Sequence, residues 1–408
     1  MTSARRAPDA TLLIVAALLT SIGAIMVFSA SSVVGITRYH DAAHFFKREL
    51  VWVALGGLAC WIGMKLDYGV LRRAAPWLLG VAVVLLVGVL FPHFGAMEGG
   101  ARRWYEFGPL SFEPSEFAKL ALIVFLAKLL ADREDSARDF STIGFPALFW
   151  VGVCFMLVLR QPDLGTATLF LMIAFFMLFA AGARLSHLAI GIAVAVPALL
   201  AFVYASPYRR ARFTAFLDPN ADPQGTGYHI LQSLYGLGSG GIFGVGLGAS
   251  RQKFGYLPEQ YTDFIYSVLG EELGFIGAAT VLVLFLLFAY RGLRIAMKAE
   301  DRFGFFLAVG ITASIALQAF INIGVVTSTW PVTGVPLPFI SYGGTSLVMS
   351  LFGVGLLASI SRGRSRAAQA AEERMREPRS AHPAHRRRHG GSPLPRAVTS
   401  ASALRRAR

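Results

Sequence analysis

Charge is scarce in this chain. Only 15% of its 408 residues are Asp, Glu, Lys or Arg, while 55% are hydrophobic, and the mean hydropathy is +0.57. About a quarter of a soluble globular domain is charged, so that class is excluded. Cysteine is scarcer still. Cys60 and Cys154 are the only two, and both lie inside apolar runs. They read as small core residues, which excludes a disulfide framework or a cysteine metal site. The apolar runs lack the polar alternation of a membrane β-barrel strand. The glycine-rich stretch from Gly236 to Gly248 lacks the GxxxxGK[ST] pattern, so nothing indicates a nucleotide site. Also missing is a soluble domain carrying Ser-x-x-Lys and the companion motifs of a transpeptidase.

What is present is a series of ten continuous apolar blocks. They cover about 11–34, 49–66, 76–93, 115–131, 143–160, 163–182, 187–205, 263–290, 303–326 and 344–361. Each is close to the ~20 residues that cross a bilayer as a helix, and a helix satisfies its own backbone hydrogen bonds in lipid. The first block follows Arg5 and Arg6. Its apolar core exceeds that of a signal peptide, so an uncleaved first span is expected. The expected fold is an all-α polytopic membrane protein with ten transmembrane helices. A long extracytoplasmic loop, about 206–262, joins helices 7 and 8.

Lysine and arginine set the expected orientation. With the N-terminus inside, Lys65, Arg72, Arg73, Lys128, Arg133, Arg184, Arg291, Arg294, Lys298 and Arg302 fall on the cytoplasmic side. The bias favours two cytoplasmic termini, which an even number of spans allows. Residues 1–10 then form a cytoplasmic segment, 11–361 the membrane domain, and 362–408 a cytoplasmic tail. That tail is rich in Arg, His, Pro, Ser and Ala and has no apolar period, so it reads as disordered. It supplies most of the net charge of +14. Attraction to anionic membrane lipid accounts for such a tail, and nucleic acid is not called for.

The stretch "PEQYTDFIYSVLGEELGF" places Asp263 at a helix mouth and Glu271 and Glu272 inside the helix. An acidic residue in a first turn caps free N–H groups and complements the helix dipole. That is one reading of Asp263; catalysis is the other. Glu271 and Glu272 lie about 12–14 Å further along at 1.5 Å per residue. They are too distant to pair with Asp263, because carboxylate pairs work about 5–9.5 Å apart. Ionisable groups inside a span usually face a polar cavity or a partner, and Glu116 joins them as a cavity candidate.

Other polar groups fall on the outward side. "GGARRWYEFGPLSFEPSEFAKL" supplies Arg102, Arg103 and Trp104, then Lys119 about one turn into a helix. "RQPDLGTA" supplies Gln161 and Asp163, "YRRARF" supplies Arg209, Arg210 and Arg212, and "PVTGVPLPFISYGGTS" supplies Ser341. Singly, each has a plain explanation. Lys119 snorkels, Trp104 anchors at the interface, and the arginines meet lipid headgroups. Together they describe an outward face with several cations, one carboxylate at a helix mouth, and access from lipid. That suits a lipid-linked phosphate substrate.

These stretches resemble the SEDS family (FtsW, RodA, SpoVE). The likeness covers about residues 11–361, and "DPNADPQGTGYH" with "LPFISYGGTS" is more similar to the FtsW/SpoVE branch than to RodA. The resemblance implies ten helices, cytoplasmic termini, and a peptidoglycan glycosyltransferase of the bacterial plasma membrane that polymerises lipid II. It implies a class B penicillin-binding protein as partner, and divisome proteins around it. The family's catalytic aspartate lies in a motif that here reads "LPEQYTDF", which maps the role onto Asp263; Tyr261 replaces the usual histidine. Arg103 and Lys119 map to substrate-binding positions. The expected chemistry is one in-line inversion. Asp263 acts as general base, kept ionised by the helix dipole and the nearby cations. Arg103 and Lys119, aided by Arg209, Arg212 or a divalent cation (Mg2+ or Mn2+), stabilise the pyrophosphate. No cofactor is required by the residues themselves. Two competing readings are a lipid II flippase and a non-catalytic scaffold for a penicillin-binding protein.

Overall fold

The structure, a computed structural model, describes residues 7–98, 100–108, 110–133 and 140–363. The expected cytoplasmic tail therefore lies outside the described residues, except for its first two. In chain order the helices are α1 (Ala10–Tyr39), α2 (His44–Lys65), α3 (Gly69–Gly88), α4 (Pro114–Asp132), α5 (Phe145–Leu159) and α6 (Leu164–Ala180). They continue with α7 (Leu185–Tyr204), α8 (Pro207–Leu217), α9 (Tyr228–Ser239), α10 (Ile265–Met297), α11 (Arg302–Val326) and α12 (Gly344–Arg362). Each of the ten apolar blocks falls on a helix of this series; α8 and α9 lie in the long loop. Among the described residues, seven helices are long and apolar enough to cross a membrane: α1, α3, α5 with its preceding turn, α7, α10, α11 and α12.

Burial separates the centre of the bundle from its lipid-facing rim. The most apolar windows of α11 and α12 are 72% buried, and that of α7 only 11%. The seam between α2 and α12 is built from small residues. A Cβ on Gly355 would lie 2.2 Å from the Cys60 carbonyl oxygen, and one on Gly63 would lie 2.9 Å from that of Phe352. Such close backbone approach is how helices pack in lipid, where no hydrophobic force draws them together.

Polar contacts gather at one end of the bundle. Asp9 accepts from Leu12 N at 3.0 Å, pairs with Arg291 at 2.5 Å, and its own N–H donates to Ser361 Oγ at 3.0 Å. The start of α1 and the ends of α10 and α12 therefore share that end. Tyr68 Oη donates to Asp301 Oδ2 at 2.9 Å, and Asp301 caps α11 through Gly304 N at 2.7 Å.

At the other end a small antiparallel sheet interrupts the helices: β1 (Ala96–Glu98), β2 (Ala101–Phe107) and β3 (Leu110–Phe112), in that order. Trp104 pairs with Ala96, and Tyr105 with Phe112. Tyr105 Oη ties the sheet to α3 by donating to Leu85 O at 2.8 Å.

α10 is broken at Gly274, whose φ is 69° and ψ is −169°. Glycine tolerates that backbone because it has no Cβ. A Cβ there would meet Gly244 N at 2.3 Å and Ile242 O at 2.5 Å. The break is filled by the loop between α9 and α10. Val245 N donates to Glu271 O at 3.0 Å and Gly246 N to Glu272 O at 3.1 Å. In return Phe275 N donates to Gly241 O at 2.9 Å and Ile276 N to Ile242 O at 3.2 Å. These four bonds replace helical ones that the kink interrupts, as a low-dielectric setting requires.

Candidate active site

The turn before α10 carries Asp263, and its backbone is held at three successive carbonyls. Tyr342 N donates to Tyr261 O at 2.9 Å, Ser341 Oγ to Thr262 O at 2.5 Å, and Asn322 Nδ2 to Asp263 O at 2.8 Å. Ser341 Oγ also accepts from Leu337 N at 2.8 Å, and Asn322 Nδ2 donates to Val335 O at 2.8 Å. Two segments distant in sequence, α11 and the 331–343 loop, thus fix where the Asp263 side chain sits. Ser341 serves that frame with both hydrogen-bonding roles of its hydroxyl.

Asp263 does not cap α10. The helix starts at Ile265 after Phe264, with no side-chain cap. The expectation that dipole and cations keep its pKa low is corrected by the structure. Burial pushes the carboxyl up to about 7, and the charges of Glu259 and Asp163 push the same way. Arg103 and Arg212 pull it down without cancelling that rise. Residue 263 keeps partial exposure, so the carboxyl is enclosed yet reachable. Gly334, at φ 74°, gives it room: a Cβ there would lie 3.5 Å from Asp263 Oδ2.

Arg103 reaches from β2 across the site's edge. Its Nε donates to Gln161 O at 2.9 Å, one terminal nitrogen donates to Pro162 O, and the other lies 3.7 Å from Asp163 Oδ2. Asp163 also caps α6, accepting from Thr166 N at 3.0 Å. The Gln161 side chain is buried and turns away to donate to Leu86 O at 3.2 Å. Trp104, the next residue of β2, is half-buried. Arg212 on α8 acts electrostatically on both Asp263 and His229 of α9. Arg209 is engaged on α7 instead, donating to Phe202 O at 3.1 Å with its guanidinium 3.8 Å over the Phe202 ring.

Lys119 and Glu116 form a second polar centre, within the bundle. They pair at 2.9 Å, and Lys119 Nζ donates to Gln318 Oε1 at 2.5 Å. Gln318 Nε2 donates in turn to Pro336 O at 3.0 Å, which links this centre to the loop beside Asp263. The three polar side chains line a small, partly open cleft of about 30 Å³ between α4, α11 and α12, room for about one water. Above it, burial together with the Glu116 and Asp163 charges pushes the Glu113 carboxyl up to about 8.

Glu271 and Glu272 stand apart from both centres. Glu271 accepts from Ser250 Oγ at 2.5 Å and Arg251 N at 2.9 Å. Glu272 accepts from Ser29 Oγ at 2.6 Å and lies 3.9 Å from Lys253 Nζ. They clamp the loop before α10 onto α1 and α10. Among the described residues, no group of three or more His, Cys, Asp or Glu side chains converges to hold a metal. The donor set does not fit a resident metal ion; Mg2+ or Mn2+ would need oxygens from a substrate phosphate to complete its shell.

Three contributors escaped the sequence reading: Glu259, Gln318 and Asn322. The last two were detectable, being amides four residues apart inside an apolar span and so on one helix face.

A helical membrane bundle with a carboxylate and two arginines at one end defines a polytopic membrane protein with a polar site at that end. The chain belongs to the FtsW/RodA/SpoVE family, described as "Cell cycle protein", whose pattern matches residues 9–366. It is 46% identical to the stage V sporulation protein E of Bacillus subtilis over 362 residues, covering 89% of this chain and 99% of that protein. It is 45% identical over 355 residues to the probable peptidoglycan glycosyltransferase FtsW of Trichlorobacter lovleyi, covering 87% and 93%. Among solved structures, a chain of a peptidoglycan synthase complex matches with a TM-score of 0.71 at 31% identity, covering 87% of this chain and 98% of that one. The rod shape determining protein RodA of Thermus thermophilus matches at 0.65 and 30% identity, covering 87% and 97%.

Proposed function

We propose that this chain is a peptidoglycan glycosyltransferase that polymerises lipid II into β-1,4-linked glycan at the outer face of the bacterial plasma membrane. The observation that carries the mechanism is the placement of Asp263: its turn is held by Asn322 and Ser341, its carboxyl faces the space that Gly334 leaves, and burial raises its pKa to about 7. A general base works best when its pKa lies near the working pH. Asp263 takes the proton of the acceptor sugar's C4 hydroxyl as that oxygen attacks C1 of the donor sugar. The bond from C1 to the pyrophosphate breaks with its electron pair on the leaving oxygen, and the configuration at C1 inverts. Undecaprenyl pyrophosphate leaves as a stable anion and needs no general acid, which accounts for one carboxylate where glycosidases use two.

Arg103 and Arg212 supply the positive field at the site's edge. Lys119 has spent two of its three donors on Glu116 and Gln318, leaving one for a substrate oxygen. The ten helices that hold the ten apolar blocks are the proposed spans, with both termini cytoplasmic. Asp9 and Ser361 share the end of the bundle that holds Arg291. Asp263 lies just before the start of α10 and Arg291 near its end, so the two fall towards opposite ends of the bundle. A class B penicillin-binding protein supplies the crosslinking partner. One solved relative belongs to a peptidoglycan synthase complex, which supports that pairing.

The test is polymer formation by purified protein given lipid II. Wild type is expected to make glycan polymer, and Asp263→Asn to make about 10²–10⁴-fold less. Lipid II translocation without polymer would favour a flippase. Polymerisation by Asp263→Asn within about threefold of wild type, far short of that range, would move the base elsewhere.

A further inference from the structure

Thr333 stands at the meeting point of the two halves of the site, and no role has been given to it. Its backbone carbonyl and Cβ press on the start of α6: a Cβ added to Gly165 would meet Thr333 O at 2.8 Å and Thr333 Cβ at 2.9 Å. Gly165 follows Asp163, the partner of Arg103, by two residues. On its other side Thr333 adjoins Gly334, whose missing Cβ leaves open the space in front of Asp263 Oδ2. The following residue, Val335, is pinned by Asn322, which also holds the Asp263 carbonyl. Thr333 thus bridges the arginine side and the carboxylate side.

Its hydroxyl is one of several buried polar atoms without a partner among the described residues, and with Asn322 Oδ1 it lies beside the Asp263 turn. Thr333 Oγ1 is buried and has no hydrogen-bond partner. A buried hydroxyl left unpaired is unfavourable, and such groups in folded proteins call for an explanation. The two threonines of the neighbouring turn show the usual behaviour: Thr327 Oγ1 donates to Ile323 O at 2.8 Å and Thr329 Oγ1 to Gly324 O at 3.2 Å. Thr333 lies beside the one positive-φ glycine that faces the catalytic carboxyl, where a sugar bearing the attacking hydroxyl would sit.

We infer that Thr333 is a substrate-positioning residue, its hydroxyl hydrogen-bonding the acceptor sugar beside the hydroxyl that Asp263 deprotonates, with Gly334 reserving the space for that sugar. This rests on the glycosyltransferase reading of the site. A contact of this kind discriminates by leaving a polar group unpaired when the matching sugar group is absent.

The experiment compares Thr333→Val, which replaces the hydroxyl by a methyl of similar shape, with Thr333→Ser, which keeps the hydroxyl and loses the methyl. Polymerisation is followed at saturating and limiting lipid II, and thermal unfolding is measured in the same detergent. The expected result for Thr333→Val is a loss of about tenfold in rate at saturating lipid II, the size of one lost hydrogen bond. Its thermal stability should be equal to wild type or higher, because an unpaired buried hydroxyl is gone. Thr333→Ser is expected within about threefold of wild type. A purely packing role gives the reverse order, with Ser impaired and Val normal, and overturns the inference. Thr333→Val within about twofold of wild type, well below the loss one hydrogen bond predicts, overturns it too. If Thr333→Val does not fold, Thr333→Ala takes its place against Ser, and equal rates for that pair overturn it. Absence of polymer from wild type would instead sink the glycosyltransferase reading, a separate outcome.

Discussion

Asp263 shows how little of a residue's chemistry lies in its letter. The sequence marks it as a carboxylate at a helix mouth, and nothing local says that its pKa is raised. The raising groups come from elsewhere: enclosure by the 331–343 loop and α11, the charge of Glu259 across the turn, and that of Asp163 from α6. The sign of the consequence follows. The folded-state pKa of about 7 lies above the unfolded value of 3.8, so the folded chain binds more protons than the unfolded chain between those values. Stability contributed by this group is present at low pH and is lost as pH rises through about 7. Asp263→Asn, which carries no charge, is therefore expected to unfold at a higher temperature than wild type at pH 8, with the difference vanishing near pH 4. Activity runs the opposite way, since the base must be ionised. A group of pKa near 7 is about one-tenth ionised at pH 6 and about nine-tenths at pH 8, so the rate is expected to rise about tenfold across that interval. Glu259→Gln removes a charge that raises the pKa, and its pH–rate midpoint is expected below that of wild type. A midpoint unmoved by Glu259→Gln would show that the titrating group is not Asp263.

At the scale of the element, legibility depended on length. The ten apolar blocks are continuous over about 17 residues or more, and every one lies on a helix, because a long apolar run in lipid has no better way to satisfy its backbone. The pieces that were not legible are short. The strands of 3, 7 and 3 residues, α8 and α9 are polar or glycine-bearing, and their partners are set by tertiary contact. The partners of Glu271 and Glu272 were not legible for the same reason: Ser29, Ser250 and Arg251 are remote in sequence, so the pair reads only as intramembrane charge facing a cavity or a partner, and the structure supplies the partners. The break in α10 gives this clamp its geometry, and it can be tested. Gly274→Ala places a Cβ against the backbone of Ile242 and Gly244 at a positive φ, and is expected to destabilise by more than about 1 kcal/mol. Gly57→Ala in α2 meets nothing within 4 Å and is expected to stabilise by about 0.5–1 kcal/mol, as alanine does in a helix interior. Thermal unfolding of the two purified variants in one detergent checks both signs.

Across the whole molecule, the polar contacts divide the bundle into two ends, and the orientation read from lysine and arginine assigns them to opposite sides of the membrane. Cysteines placed at Ser3 and Ser392 of the full chain are expected to resist an impermeant thiol reagent added to intact cells. A cysteine placed at Asn220, in the loop between α8 and α9, is expected to react. Labelling of Ser3 or Ser392 positions from outside would invert the proposed topology. The join between loop and helix at Gly274 also bears on how such a chain is assembled. While α10 enters the bilayer by itself, only an unbroken helix satisfies its backbone, with Phe275 bonded back to Glu271 and Ile276 to Glu272. In the finished structure those two bonds are gone, and four to the 241–246 segment stand in their place. A straight α10 would leave the 241–246 segment without these four partners, so the kink and the folded-back segment stand or fall together.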